Sequence, residues 1–183
     1  EDVSLMKEIG INAYRFSVSW PRVLPEGHGS VNEKGMDFYD ALVDELLAAN
    51  IVPFVTLFHW DYPYALYCRG GWLNPDSPDW FAAYADTVAH RLSDRVTHWM
   101  TLNEPQCFVG SGHGDGIHAP GQRLPLAQII PIAHHVLTAH GRAVAALKAA
   151  APCEVGFAPV GIVKAPASDS PRDVEAGDRK SVV

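Results

Sequence analysis

The sequence alternates between strand-like and helix-like segments, and this alternation constrains the fold more than any other feature. Apolar runs rich in β-branched and aromatic residues are separated by segments with helical periodicity. The four predicted strands cover residues 13–20, 52–60, 96–104 and 154–160. Strands that alternate with helices pair in parallel, because each helix returns the chain to the start of the next strand. We therefore predict an α/β fold built on a parallel sheet.

The helices between these strands are predicted from their apolar stripes and their caps. They cover about 33–50, a segment that starts at Ser77-Pro78, and 126–150, with further helices over the first ten residues and from about Asp173. Asn32 is the expected cap of the first long helix. The glycine-rich stretch GSGHGDGIHAPG is expected to be a loop.

The size of the repeating unit indicates a barrel. Each strand–helix unit takes about 40 to 55 residues, and eight such units would form an enlarged (β/α)₈ barrel. The 183 residues hold about half of that number. We expect a TIM-barrel fragment that is cut at both ends, and a single partial domain over residues 1–183. The sequence has no GxGxxG after any strand and no P-loop, which argues against nucleotide-binding folds.

Charge and cysteine content narrow the function classes. The chain carries a net charge of −7 and no basic run, so neither nucleic acid nor an anionic membrane is an expected partner. The longest apolar run, Ile51 to Phe58, is too short to span a bilayer. Three cysteines without CxxC spacing exclude a disulfide framework and a four-cysteine zinc site. Such cysteine usage favours a reducing compartment, and we expect a cytoplasmic location.

The stretch VTHWMTLNEP places a carboxylic acid and an amide at the end of an apolar strand. Pro105 cannot donate a ladder hydrogen bond, so the strand must end before it. Ligands and catalytic groups collect at the carboxyl ends of parallel strands. We interpret Glu104 as a catalytic acid/base and Asn103 as a group that orients the substrate. A surface carboxylate at a strand–loop junction is the alternative on these ten residues alone.

The order of five motifs, YRFSVSWPRVLPEG, VTLFHWDYP, RGGW, TLNEP and HAPG, resembles the family 1 glycoside hydrolases. This family includes β-glucosidases, 6-phospho-β-glucosidases and β-galactosidases, and the resemblance covers essentially all 183 residues. It implies a (β/α)₈ barrel fragment that covers about strands 2–5, from the helix before the second strand to the helix after the fifth. It implies a retaining β-glycosidase, with β-glucosidase the favoured activity, that uses two glutamates in a double displacement and needs neither metal nor cofactor. The implied partner is a β-glucoside or oligosaccharide substrate.

The resemblance also assigns roles to individual residues. Glu104 matches the acid/base, and Asn103 matches the amide that binds the sugar 2-hydroxyl. His59 and Trp60 match residues of the sugar subsite, and Arg15 matches the arginine that lies against the nucleophile carboxylate. The nucleophile belongs to an (I/V)TENG-type motif on a later strand and has no counterpart in these 183 residues. We therefore expect the fragment alone to be inactive and, with two exposed sheet edges, to behave poorly in solution.

The residues alone do not exclude two other classes of protein. Nine histidines, among them His113 and His118 in the glycine-rich loop, suggest a metal-dependent barrel hydrolase, but no HExxH is present. A non-catalytic sugar-binding barrel would lack the second glutamate. Within the family, a 6-phospho-β-glucosidase or a β-galactosidase is the alternative to a β-glucosidase. From the residues alone, a core histidine is the favoured interpretation of His59, and a structural ion pair with a barrel acid is the favoured interpretation of Arg15; only the resemblance reverses the interpretation of His59.

Overall fold

The structure, a computed structural model, describes residues 1–161 and 165–181, with side chains up to residue 178. Seven α-helices occur in these residues: α1 Asp2–Glu8, α2 Trp20–Val23, α3 Glu33–Ala48, α4 Tyr64–Cys68, α5 Ser77–Leu92, α6 Leu126–Ala150 and α7 Pro171–Ser181. Four strands occur: β1 Ala13–Ser17, β2 Val52–Phe58, β3 His98–Asn103 and β4 Glu154–Ala158. A 3₁₀ turn covers Gly71–Leu73, and a wide π-helical segment covers Cys107–Gly114.

The four described strands form one parallel sheet in the order β1-β2-β3-β4. Each strand pairs with the next one along the chain, as expected for consecutive units that each cross over through a helix. Ser17 lies opposite Thr56, and Phe58 lies opposite Leu102. All four strands therefore point the same way, and their carboxyl ends lie along one edge of the sheet. The prediction of a parallel α/β fold is confirmed.

The predicted strands are too long at their carboxyl ends. Trp20 begins α2 instead of ending β1, since Pro21 in the first turn fits a helix start. After β2 and β3, Trp60 and Glu104 adopt left-handed φ angles of 80° and 45°, which a strand residue does not adopt. Val160 lies beyond the end of β4 at Ala158. Trp60 and Glu104 thus lie on the turns that follow β2 and β3, whereas Asn103 is the last residue of β3.

The helices match the predictions more closely, with three differences. Helix α6 has the predicted limits, whereas α3 ends at Ala48 rather than at residue 50. The side chain of Asn32 does not cap α3 but donates to the carbonyl oxygen of Arg22, 2.9 Å away. The first half of the predicted glycine-rich loop is helical, because the π-helical segment extends to Gly114.

The hydrophobic core lies between the sheet and helices α3, α5 and α6, and aromatic residues dominate it. Phe58 contacts the rings of Trp72 and Phe108 with centroid distances of 5.5 and 5.1 Å. The buried hydroxyl of Tyr84 on α5 lies 2.9 Å from the carbonyl oxygen of Leu57 and 3.1 Å from that of Val18. Helix α5 is therefore fixed against the carboxyl ends of β1 and β2.

Other sequence expectations concern packing, thiols and membrane spans. Four tryptophans are packing residues with 9% exposure or less: Trp20, Trp72, Trp80 and Trp99. The three cysteines are free thiols. No helix in the described part of the chain combines the length and apolar character needed to cross a membrane.

Candidate active site

A β-bulge near the end of β3 directs Asn103 toward the other site residues. Met100 pairs with Gly156 and Asn103 pairs with Ala158, so three steps on β3 match two steps on β4. An extra residue in one strand shifts the side chains beyond it to the opposite face. Asn103 is 3% exposed and lies at the center of a polar network at the carboxyl ends of β1, β2 and β3.

The amide of Asn103 is held from two sides. Arg15 on β1 donates from Nη2 to Asn103 Oδ1 over 2.9 Å. Because arginine can only donate, this contact makes Oδ1 the acceptor and leaves the Nδ2 group as a donor. Nδ2 lies 3.2 Å from Nε2 of His59, which must then accept and carry its own proton on Nδ1. The network thus fixes both the amide orientation and the histidine tautomer.

Trp60 is held by the backbone of the same asparagine. Its indole Nε1 donates to the carbonyl oxygen of Asn103 over 2.9 Å. Its φ of 80° is unusual for a bulky residue and costs about 1–3 kcal/mol, which packing and this hydrogen bond have to offset. The ring lies 5.5 Å from that of His59 and 5.3 Å from that of His118. An aromatic surface is therefore positioned directly beside the polar network.

Glu104 follows Asn103 and leaves the strand on a strained turn. Its backbone N–H donates to the carbonyl oxygen of Ala158 over 2.7 Å, and its own carbonyl oxygen accepts from the N–H of Cys107 over 2.9 Å. Gln106 binds both backbone groups of Val160, so the chain on either side of β4 is tied to this turn. The half-buried Glu104 carboxylate is thereby held next to Asn103 at the carboxyl edge of the sheet.

The thiol of Cys107 is a neighbour of Glu104 that the sequence did not identify. Burial first, and then the charge and hydrogen bond of Glu104, raise the pKa of this thiol. A thiol that keeps its proton is a donor to the carboxylate rather than a nucleophile. His118 was also missed as an aromatic neighbour of Trp60, since it was considered only as a metal ligand. The HAPG motif, which begins at His118, was the sequence feature that could have identified this residue as part of the site.

The five predicted site residues therefore meet at one edge of the sheet. Arg15, His59 and Trp60 all contact Asn103, and Glu104 is its chain neighbour. Arg15 was expected to lie against a carboxylate, and in the described structure its partner is an amide oxygen; the carboxylate contact stays a prediction. Within the described residues, no group of three or more histidine, cysteine or acidic side chains is placed to hold a metal ion.

Comparison with known proteins assigns the family. The model of glycosyl hydrolase family 1 matches residues 1–183. The chain belongs to glycosyl hydrolase family 1. A 1,4-β-D-glucan glucohydrolase of Thermotoga neapolitana is 49% identical over 144 residues, 79% of this chain and 34% of that protein. A β-glucosidase of Agrobacterium sp. is 45% identical over 184 residues, 98% of this chain and 39% of that protein.

Solved structures of this family agree with the fold. The family 1 β-glucosidase of Thermotoga maritima superposes with a TM-score of 0.91 at 43% identity, covering 97% of this chain and 40% of that one. The same enzyme in complex with isofagomine lactam gives a TM-score of 0.92. The chain spans about a third to two fifths of the length of these relatives. The predicted family and the predicted (β/α)₈ barrel fragment are confirmed.

Proposed function

We propose that the protein is a retaining β-glycosidase that removes terminal β-D-glucosyl residues. The observation that carries this proposal is the Asn103–Glu104 pair, an oriented amide and a carboxylate at the carboxyl end of β3 in a family 1 chain. The relatives named above are a glucan glucohydrolase and β-glucosidases, which supports glucose as the sugar.

In this mechanism Glu104 donates its proton to the glycosidic oxygen as the bond to C1 breaks. A second carboxylate, about 5–5.5 Å from the first, attacks C1 and forms a covalent glycosyl intermediate. Glu104 then takes a proton from water, which attacks C1 and releases the sugar with its configuration retained. As the family resemblance implies, we assign the nucleophile to a strand outside these 183 residues.

Asn103 is proposed to bind the sugar 2-hydroxyl. Hydrogen bonds to this hydroxyl strengthen in the transition state of glycoside cleavage and supply several kcal/mol. The value of such a bond depends on an amide that is already oriented, since no binding energy is then used to turn it. The contacts from Arg15 and His59 provide this orientation, and Trp60 offers an aromatic face beside it.

The stereochemistry of the first product tests the proposal. With the full-length protein and an aryl β-glucoside, ¹H NMR during the first minutes should show β-glucose appearing before its α anomer. A Glu26→Gln variant, which changes an exposed glutamate away from the site, should behave in the same way. Initial release of α-glucose would mean inversion and would overturn the two-glutamate double displacement. The absence of any glucose release would support the sugar-binding alternative.

A further inference from the structure

His140 of α6 contacts the β-bulge that precedes Asn103. Between the paired positions of this bulge lie two residues of β3, Thr101 and Leu102, and only one residue of β4, Phe157. His140 Nδ1 lies 2.6 Å from Oγ1 of Thr101, and the rings of His140 and Phe157 have centroids 5.0 Å apart. One side chain of α6 therefore contacts both strands at the point where their register shifts.

The side chain of Thr101 points toward the helices rather than toward the candidate active site. Thr101 is fully buried against α6, and Trp99, two residues earlier on β3, belongs to the core between the sheet and the helices. Side chains two residues apart on a regular strand lie on the same face. A regular β3 would therefore direct Asn103 into this core, whereas the bulge directs it to Arg15 and His59.

The hydroxyl of Thr101 links α6 to both strands of the bulge. Besides Nδ1 of His140, it lies 3.4 Å from the carbonyl oxygen of Gly156 on β4. A hydroxyl both accepts and donates, so Oγ1 can accept from the Nδ1–H of His140 and donate to the carbonyl oxygen of Gly156. A bulge interrupts the ladder between two strands, and these contacts join the strands at the interruption. Without His140 the buried hydroxyl would depend on the longer contact, which leaves a buried polar group poorly paired.

We propose that Thr101 and His140 are positioning residues that hold this bulge in place and thereby direct the Asn103 amide to the sugar 2-hydroxyl. Both act through the backbone of β3, since Thr101 is two residues from Asn103. A bulge that moves by one residue changes the face on which the intervening side chain lies. The link to the 2-hydroxyl rests on the proposed function, whereas the effect on the position of Asn103 does not.

Two substrates that differ only at the 2-hydroxyl test the proposal in the full-length protein. Thr101→Val removes the hydroxyl but keeps a branched side chain of similar size. It should lower kcat/KM for an aryl β-glucoside by about tenfold to a hundredfold, because a displaced amide loses a bond that strengthens in the transition state. Most of this loss should disappear with the 2-deoxy analogue, which has no hydroxyl for the amide to bind. The turn at Glu104 has its own hydrogen bond to Ala158, so proton donation should be affected less.

Three further variants separate positioning from stability. His140→Phe keeps a ring beside Phe157 but cannot bind the hydroxyl, so it should give the same substrate dependence as Thr101→Val. Thr101→Ser keeps the hydroxyl and should retain the wild-type ratio of kcat/KM on the two substrates, although the loss of a buried methyl group should lower the melting temperature. Thr138→Val is the matched control on α6, because it removes a hydroxyl that donates to the carbonyl oxygen of His134, and it should also retain the wild-type ratio.

Asn103→Ala provides the reference for both substrates. If it loses activity mainly on the glucoside while Thr101→Val loses equally on both substrates or on neither, the proposal is overturned. Equal losses for Asn103→Ala would instead refute the 2-hydroxyl contact of the proposed function. In that case the crystal structure of the full-length Thr101→Val variant decides: a displaced Asn103 amide would support the positioning role, and an unchanged contact of 2.9 Å with Arg15 would overturn it.

Discussion

Asn103 determines the geometry of the candidate site because three side chains bind its amide or its carbonyl. The direction of each hydrogen bond follows from the chemistry of arginine, which donates but never accepts. One contact from Arg15 therefore orients the amide, and the amide selects the tautomer of His59. A change at Arg15 should act on catalysis through Asn103 as well as through any carboxylate it contacts.

In the full-length protein, Arg15→Met should lower kcat/KM for a β-glucoside by about tenfold to a hundredfold, the cost of one charge-assisted hydrogen bond in a preorganised site. The melting temperature should change little, because Arg15 is an exposed side chain on the first strand. Arg22→Met provides the matched control, since Arg22 lies near Tyr39 and Phe38 instead of Asn103. Equal activity of Arg15→Met and wild type would show that Asn103 needs no such support.

The site residues could be predicted from the sequence, but their mutual geometry could not. Strand-end position and the motif resemblance identified Asn103, Glu104, His59, Trp60 and Arg15. Alternation with a period of two assumes a regular strand, so it does not reveal the bulge between Met100 and Asn103. Trp60 and Glu104 also adopt left-handed φ angles, which residues other than glycine rarely adopt. Such angles cannot be predicted from local propensity, and they cluster at functional sites.

At the scale of elements, helices α3 and α5 are joined by a network of charged side chains. Arg91 of α5 and Arg95, which follows the end of α5, both bind Asp40 of α3, with Arg95 Nη2 lying 2.6 Å from Asp40 Oδ1. Four further acidic residues take part: Glu33, Asp37, Asp44 and Asp94. Asp40 is the shared partner and, with 20% exposure, the least exposed carboxylate of this network.

Asp40→Asn should destabilise the protein by about 1 kcal/mol at low ionic strength, which is modest because the network is largely solvated. Thermal melting at 20 mM and 500 mM NaCl should show the difference from wild type shrinking with salt. Asp86→Asn changes an exposed aspartate whose ion-pair partner is His90, and it should have a smaller effect. A loss as large at 500 mM NaCl as at 20 mM would mean that packing, rather than charge, makes Asp40 important.

Helix α6 illustrates what periodicity predicts well and what it misses. Its limits are as predicted, yet two of its large apolar side chains, Ile130 and Leu137, are 60% and 55% exposed. The buried face instead includes Ala139 and Ala143, which allow close packing of the helix. Counting large apolar side chains overlooks alanine, so such a count does not locate the whole buried face of the helix.

At the scale of the whole molecule, the family resemblance predicted the architecture more fully than composition did. Length and alternation indicated a parallel α/β fold, and the ordered motifs indicated which part of the barrel the chain represents. The expectation of a single partial domain and the expected poor solution behaviour remain predictions. Both predictions depend on how the sheet edges at β1 and β4 are covered, and local sequence patterns do not show what covers these edges.

Stability should fall as the pH is lowered from 7 to 5, because two histidines are partly buried in their neutral form. Burial lowers the pKa of His113 and of His140 below the usual value of 6.5. Between that value and the lower folded pKa, the unfolded chain binds more protons, so protonation favours unfolding. Above pH 6.5 this contribution to stability is fully present.

Melting temperatures across this pH range provide the measurement. A double His113→Gln/His140→Gln variant should melt lower at pH 7, because it loses native contacts, but with a flatter pH dependence than wild type. His134→Gln, which changes an exposed histidine on α6, should keep the wild-type slope. A double variant with the wild-type slope would assign the acid sensitivity to other groups.

The role of Glu104 as proton donor is tested most directly by the leaving-group dependence of Glu104→Gln in the full-length protein. General acid catalysis contributes about 10²–10⁴-fold, and a poor leaving group needs it most. We predict that Glu104→Gln loses about a thousandfold or more in kcat/KM on cellobiose, and far less on a dinitrophenyl β-glucoside, whose leaving group needs little protonation. Equal losses on both substrates, or unchanged turnover of cellobiose, would contradict this role.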